Sequence, residues 1–483
     1  MEEGFLLRFD QQVQYCVWSI RKIHFRSTNS RLCRSRPARY LLEEKGRFPM
    51  KRRFIFVLLC FVPVVSAIAQ NDLTRGLPQA PERLRWWQEA RFGMFIHWGP
   101  VSLKGTEISW SRGGPRRGIA GTGEIPVAVY DSLYREFNPV RFNATEWAAI
   151  ARSAGMKYIV LVAKHCDGFC MWRSAVDTYG IAATPFGRDV CGELADAARA
   201  AGLRIGWYYS PMDWRDPDCR TDRNAIYVGK MQGHLRELLG RYGRVDVLWF
   251  DTDGGPAPWA QQETYALVRA LQPGIIINNR LDMGSMQDYN DQRIGPEADY
   301  RTPEQHVGEF DHDHPWETCM TLGTQWSWKP KDTIKTSAEC IRILRRCVTG
   351  DGNLLLNVGP MPDGRIEPRQ AAVLREIGAW LERYGESVYG TRGGPFRNGD
   401  WGGSTNRGTS VYLHIDKWNN REVVLPSLDA VVLRAAAVGG GESVEFHQSA
   451  DGIKVRMPAG MTEGSLSVIK LELDRTADGL KPS

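Results

Sequence analysis

From Arg91 onward the chain alternates short, almost wholly apolar runs with longer amphipathic segments, and this alternation restricts the fold more than any other feature. The expected strands are Phe92–Trp98, Tyr158–Ala163, Arg204–Tyr209, Val245–Asp251, Gly274–Asn278 and Asn353–Val358. Between and after them, helices are expected over Thr145–Gly155, Val190–Ala201, Ala225–Tyr242, Gln261–Leu271, Thr333–Val348 and Pro368–Tyr384. Strands that are apolar on both faces belong to a parallel sheet covered on both sides. Six such units in about 300 residues suit a (β/α) barrel of the triosephosphate isomerase type. An open doubly wound sheet is the competitor, but no glycine-rich dinucleotide or phosphate fingerprint follows any strand.

Beyond Gly390 the period changes to two. Val411–Ile415, Val444–Phe446, Ile453–Val455 and Val468–Leu473 alternate apolar and polar residues between Gly- and Pro-containing turns. A small C-terminal antiparallel β-sandwich is expected. The expected organisation is a barrel over 70–392 and a sandwich over 393–483.

The N-terminal part reads differently. Lys51-Arg52-Arg53 after Met50, the apolar run Phe54–Val65 and the small-x-small end Ser66-Ala67-Ile68-Ala69 form a signal-peptide pattern over residues 50–69. Residues 1–49 are then an upstream extension from an overextended start. The apolar run is short for a span, which needs about 20 residues, so no integral membrane span is expected after cleavage. Export is expected, to the periplasm or the extracellular space. The net charge of +6 is concentrated in this leader: residues 1–69 hold 13 Lys/Arg and 5 Asp/Glu, leaving 49 basic and 51 acidic residues beyond. No nucleic-acid surface is implied. Seven cysteines follow the leader without a C-x-x-C pair, so neither a disulfide framework nor a zinc site is expected. Nothing fixes the oligomeric state.

In a barrel, polar residues that end apolar strands line one rim, where active sites form. His97, Lys164-His165-Cys166-Asp167, Tyr208-Tyr209-Ser210, Asp251 and Asn278-Asn279-Arg280 hold those places. Asp251, directly after Val247-Leu248-Trp249-Phe250, is the sharpest candidate, although Asp-Thr-Asp-Gly is also good turn chemistry. Glycosidic hydrolysis needs two carboxylates; Glu297, Glu304, Glu309 and Glu317 compete for the second role, and spacing does not separate them. A metal-dependent hydrolase would want His-x-His at the end of the first strand, where only His97 stands. The Asp311-His312-Asp313-His314 run reads as a solvated loop. Seventeen tryptophans suit sugar stacking and large cores alike.

Six segments in order resemble glycoside hydrolase family 29, the α-L-fucosidases. They are Arg91–Gly99, Lys164–Phe169, Trp249-Phe250-Asp251, Asp299–Glu304, Asn353–Pro360 and Gly385–Arg392, spread over some three hundred residues from about Arg83 to Arg392. The resemblance implies a retaining exo-α-L-fucosidase acting on terminal fucose of oligosaccharides, with no metal and no organic cofactor. It implies Asp251 as nucleophile and Glu304 as acid/base, with His97, His165, Trp110 and Tyr208 holding the sugar and Arg280 beside the nucleophile. Trp316 and Trp326 are assigned here to the sugar's C5 methyl group. Arg280 is expected to favour the Asp251 anion while Glu304 holds a proton. Two positions depart from the family pattern: Cys166 stands where a second histidine is common, and Ser109 rather than Glu precedes Trp110, with Glu107 left to reach the same hydroxyl. These departures bear on linkage and sugar preference. They also keep a related-sugar glycosidase and a non-catalytic sugar-binding barrel as alternatives.

Overall fold

The computed structural model describes residues 80–481, apart from 117–118, 253–258, 284 and 463. The leader pattern and the upstream extension lie outside the described residues. No helix among those described is long and apolar enough to cross a membrane.

Seven parallel strands form the first sheet: β1 Phe92–Ile96, β2 Tyr158–Lys164, β3 Arg204–Tyr209, β4 Val247–Phe250, β5 Ile276–Ile277, β6 Glu317–Thr321 and β7 Asn353–Val358. Their order is β5-β4-β3-β2-β1-β7-β6, so first and last strands of the unit pair and the sheet curls into a TIM-like barrel. An irregular stave fills the gap between β5 and β6. Asn278 bridges Tyr300, Arg301 bridges Trp316, and Glu304 bridges Cys319, all in parallel sense. The chain from Asp299 to Gln305 thus runs up the barrel wall, its amides and carbonyls shared between Ile277 on one side and Pro315, Glu317 and Cys319 on the other.

The strands form where expected because nearly every side chain in them is buried, which suits β-branched and aromatic residues packed on both faces. The covering helices begin at side-chain caps. Asn143 and Asp189 accept from the backbone N–H of Glu146 and Gly192, and Thr336 forms a reciprocal capping box with Glu339. β6 was not anticipated. Its Glu317, Thr318 and Thr321 are polar yet buried, so neither an apolar run nor an alternation marks it.

The C-terminal region holds β8 Arg392–Gly393, β9 Gly402–Arg407, β10 Ser410–Ile415, β11 Glu422–Leu425, β12 Val432–Ala437, β13 Phe446–Ser449, β14 Gly452–Arg456 and β15 Val468–Leu473. They form two antiparallel sheets, β12-β15-β10-β9-β8 and β11-β14-β13, around one apolar cluster that includes Val411, Leu413, Val423, Ile453 and Leu471. Asp351 joins this region to the barrel. Its carboxylate takes Arg91 Nη2 at 2.6 Å and Arg392 Nη2 at 2.5 Å. Burial alone would raise the Asp351 carboxyl, but the two guanidiniums hold it below its ordinary value. All seven described cysteines are buried.

Candidate active site

Asp251 follows β4 directly, and its amide donates to the Tyr209 carbonyl at 3.2 Å. That bond continues the ladder one residue past the strand and fixes the carboxylate at the barrel mouth. Asp251 Oδ1 accepts from Arg280 Nη1 at 2.6 Å, and Oδ2 accepts from the Tyr208 hydroxyl at 2.6 Å. Arg280 also donates from Nη2 to Glu304 Oε2 at 2.8 Å. One guanidinium therefore carries both carboxylates on its two terminal nitrogens.

Arg280 is itself locked. Its Nε donates to Thr302 Oγ1 at 2.9 Å, Nη2 reaches the Thr302 carbonyl at 3.1 Å, and the group lies 4.4 Å from the Trp249 ring centroid. Its side chain is 2% exposed, against 21% for Asp251 and 28% for Glu304. The cation thus lies beneath and the two acids open towards the mouth. Burial raises the Asp251 carboxyl above its ordinary value, with the Glu304 charge adding to the rise; Arg280 and the Tyr208 hydroxyl oppose it without cancelling it. Desolvation at the barrel mouth thus outweighs the expected pull of Arg280 on this carboxyl.

The rest of the mouth is aromatic and histidine-rich. His97, just past β1, has Nδ1 2.6 Å from Asn357 Oδ1. The Asn357 amide nitrogen is committed to the Trp326 carbonyl at 2.7 Å, so the oxygen faces the ring, Nδ1 carries the proton, and Nε2 is an acceptor. Burial drives the His97 pKa down to about 3, so the ring is neutral near pH 7. His165 stacks on Tyr208 with centroids 5.4 Å apart and planes 4° apart. Its Nδ1 meets the Ser109 hydroxyl at 2.6 Å, while that oxygen accepts the Asp167 amide at 2.9 Å. Ser109 thus holds the ring by Nδ1 and leaves Nε2 as the nitrogen without a contact to Ser109. Burial, then the neighbouring His97 and Lys164, keeps His165 well below its ordinary pKa. The two rings lie 6.0 Å apart between centroids, with His97 Nε2 an acceptor suited to a sugar hydroxyl.

Trp326 packs over His97 at 4.7 Å and against Phe95 at 6.0 Å, so it joins the mouth as expected. Trp110 stands at the rim, 39% exposed, edge-on to Trp214 at 5.3 Å. Trp316 does not join them. It precedes β6, at the N-terminal end of the strand and hence the opposite end of the barrel. There its ring lies against Gly308, Gly350 and Gly352, where a Cβ would meet ring atoms at 2.8, 2.9 and 2.4 Å. Those glycines leave room for a core tryptophan; the C5-methyl assignment for Trp316 is corrected accordingly.

Glu107 is not free to reach a sugar either. Its carboxylate accepts the amides of Ile108 at 2.9 Å, Trp326 at 2.8 Å and Ser327 at 3.2 Å, tying the first loop to the loop bearing Trp326. Among the four competing glutamates, Glu297 and Glu309 are exposed. Glu317 lies at the start of β6, accepting from the Trp87 indole at 3.2 Å and from the Tyr158 hydroxyl. Glu304 alone of the four shares Arg280 with Asp251. Cys166 is buried with its thiol 3.2 Å from the Ser210 hydroxyl, and burial followed by the Asp251 charge raises its pKa.

Asp311 is paired with Arg301 at 3.1 Å and His314 at 3.1 Å, and His312 meets the Gly393 carbonyl at 2.7 Å, so the Asp-His run is turned onto its own neighbours. Among the described residues, Cys170, Asp177 and His234 bring ligand-type atoms within 4.8 Å of one another, but the Lys230 ammonium already lies 2.5 Å from the Asp177 carboxylate. Ser109, Asn357 and Thr302 are the site residues that sequence reasoning missed. Each orients another group, and only Ser109 carried a signal, as a departure from the family pattern.

A family model described as alpha-L-fucosidase matches residues 67–386. The human plasma alpha-L-fucosidase is 30% identical over 409 residues, covering 77% of this chain and 85% of the relative. Among solved structures, alpha-L-fucosidase isoenzyme 1 from Paenibacillus thiaminolyticus superposes with a TM-score of 0.73 at 34% identity, covering 82% of this chain and 99% of that one. A Bacteroides thetaiotaomicron alpha-L-fucosidase trapped as a covalent intermediate with 2-fluoro-fucosyl fluoride gives 0.71 at 27% identity, covering 82% and 97%.

Proposed function

The chain belongs to the α-L-fucosidase family of glycoside hydrolases, and from that premise we infer a retaining exo-fucosidase that releases terminal α-linked L-fucose by double displacement. Asp251 attacks the anomeric carbon and forms a covalent fucosyl ester. Glu304 gives its proton to the departing glycosidic oxygen, then takes one from the water that opens the ester. The observation that carries this assignment is the single guanidinium of Arg280 holding both carboxylates at the barrel mouth. Two acids on one guanidinium lie close together, in keeping with a retaining pair at about 5–5.5 Å rather than the wider gap that admits a water.

The surroundings support a division of labour. Arg280 and Tyr208 favour the Asp251 anion against its burial. Once Asp251 becomes an ester its charge is gone, the repulsion on a Glu304 carboxylate falls, and Glu304, having given up its proton, stays ionised and available to take one from the attacking water. His97 Nε2 and His165 Nε2 meet sugar hydroxyls, and Trp326 lines the same pocket. Cys166 and Ser109 shift hydroxyl recognition away from the family pattern and bear on linkage preference. The leader pattern supports export, with the plasma location named for relatives pointing the same way. The separate apolar cluster of the antiparallel sheets supports a domain division near residue 392. Incubation with 2-fluoro-fucosyl fluoride followed by peptide mass spectrometry tests the nucleophile. The label is expected on Asp251; a label on another residue, with Asp251 unmodified, overturns the assignment.

A further inference from the structure

Arg116 is a guanidinium at the edge of this mouth. Its Nη2 donates to the Trp110 carbonyl at 2.6 Å. The guanidinium lies 4.9 Å from the Trp110 ring centroid and 5.4 Å from that of Trp214. Its Nε is buried and has no hydrogen-bond partner. Among the described residues no carboxylate pairs with it, whereas Arg112, four residues earlier, holds Asp131 through two bonds of 2.6 and 2.7 Å.

The position ties Arg116 to the mouth. Trp110 follows Ser109, the residue that orients His165. Trp214 donates its amide to the Cys166 carbonyl at 2.7 Å, and Cys166 directly follows His165. Arg116 therefore lies at the rim of the mouth, beside an indole that is 39% exposed. Partial burial of a guanidinium costs hydration that aromatic faces only partly return. An anion delivered by the substrate would offset that cost, and a guanidinium suits carboxylate and sulfate through paired N–H donors.

We propose that Arg116, Trp110 and Trp214 form a subsite for an acidic group, a sulfate ester or a carboxylate, on the sugar to which the fucose is attached. Trp110 offers its face to that sugar and Arg116 pairs with the acid. The proposal rests on the fucosidase reading above and adds the class of glycan the enzyme prefers.

The test measures kcat/KM on an aryl fucoside, a neutral fucosylated oligosaccharide, and the same oligosaccharide carrying either a sulfate ester or a sialic acid carboxylate. Wild type is expected to favour at least one acidic form over the neutral one by about tenfold to hundredfold, the range for a charge-assisted hydrogen bond. The preference should shrink as salt rises. Which acidic form gains identifies the group. In Arg116→Gln the acidic-to-neutral ratio should fall towards one, and Arg116→Lys should keep much of it. Turnover of the aryl fucoside shows that each variant is folded; if Arg116→Gln is not, the wild-type ratio and its salt dependence decide. An equal rate on acidic and neutral glycans in wild type, or a ratio unchanged in Arg116→Gln, overturns the subsite while leaving the fucosidase reading intact. Failure of wild type to cleave the aryl fucoside and both kinds of glycan contradicts that reading and this proposal together.

Discussion

The barrel holds buried acid at both ends and treats it in opposite ways. At the mouth, Asp251 and Glu304 share Arg280, and Tyr208 adds a hydroxyl. At the floor, Glu317 sits among the neutral donors of Trp87, Tyr158 and Trp249. Burial raises the Glu317 carboxyl to about 7. A carboxylate taken from water either finds a cation and stays reactive, or keeps its proton and becomes a packing element. Burial pushes both acids the same way; what separates chemistry from structure is the guanidinium and the opening to solvent.

The largest effect expected from breaking the mouth is in Asp251→Ala. Its kcat/KM on an aryl fucoside should fall on the order of 10³–10⁵-fold with a thermal midpoint close to wild type. A loss below tenfold would remove Asp251 from the chemistry. Arg280→Met tests whether the cation makes the difference. It should cost about 3 kcal/mol of stability by leaving two acids without their partner and lower turnover on the order of 10²–10³-fold. Denaturant unfolding and steady-state kinetics measured together check both halves.

The floor sharpens the comparison from the other side. Glu317 has a folded pKa of about 7 against an ordinary 4.5. The folded protein therefore binds the extra proton between these values, and the stability this group contributes, full below pH 4.5, is lost as pH rises through 7. Glu317→Gln should remove that loss, so its stability gains on wild type by about 3 kcal/mol between pH 5 and pH 8, while kcat changes less than a few-fold. Parallel stability curves for the two proteins would contradict the raised pKa. The smallest effect is expected for Ser109→Ala, which frees His165 Nδ1: KM for fucosides should rise about five- to tenfold with kcat little changed.

The same contrast explains what the sequence made legible. Asp251 could be found because it ends an apolar strand, and β1 to β4 and β7 lie within two or three residues of their expected ranges. Glu304 could not be singled out without the family resemblance. It rides on a stave of isolated bridges with no periodic pattern, and Glu317, thirteen residues on, competes as a glutamate on a strand that hides its polar residues inward. Trp316 and Trp326 are alike in composition and sit at opposite ends of the barrel; only the position of Trp316 before β6 separates them. Glu107 read as a ligand because its pairing with the amides of Trp326 and Ser327 spans some 220 residues of chain.

The assignment of roles to Asp251 and Glu304 is tested most directly by azide rescue with product stereochemistry. Asp251→Gly and Glu304→Ala are each given an aryl fucoside with a good leaving group and sodium azide, and the fucosyl azide is read by NMR. With the nucleophile removed, azide enters from the vacant face and the β-azide is expected from Asp251→Gly. With the nucleophile intact, azide opens the fucosyl ester and the α-azide is expected from Glu304→Ala. The reverse pairing, or the same anomer from both variants, would contradict the account.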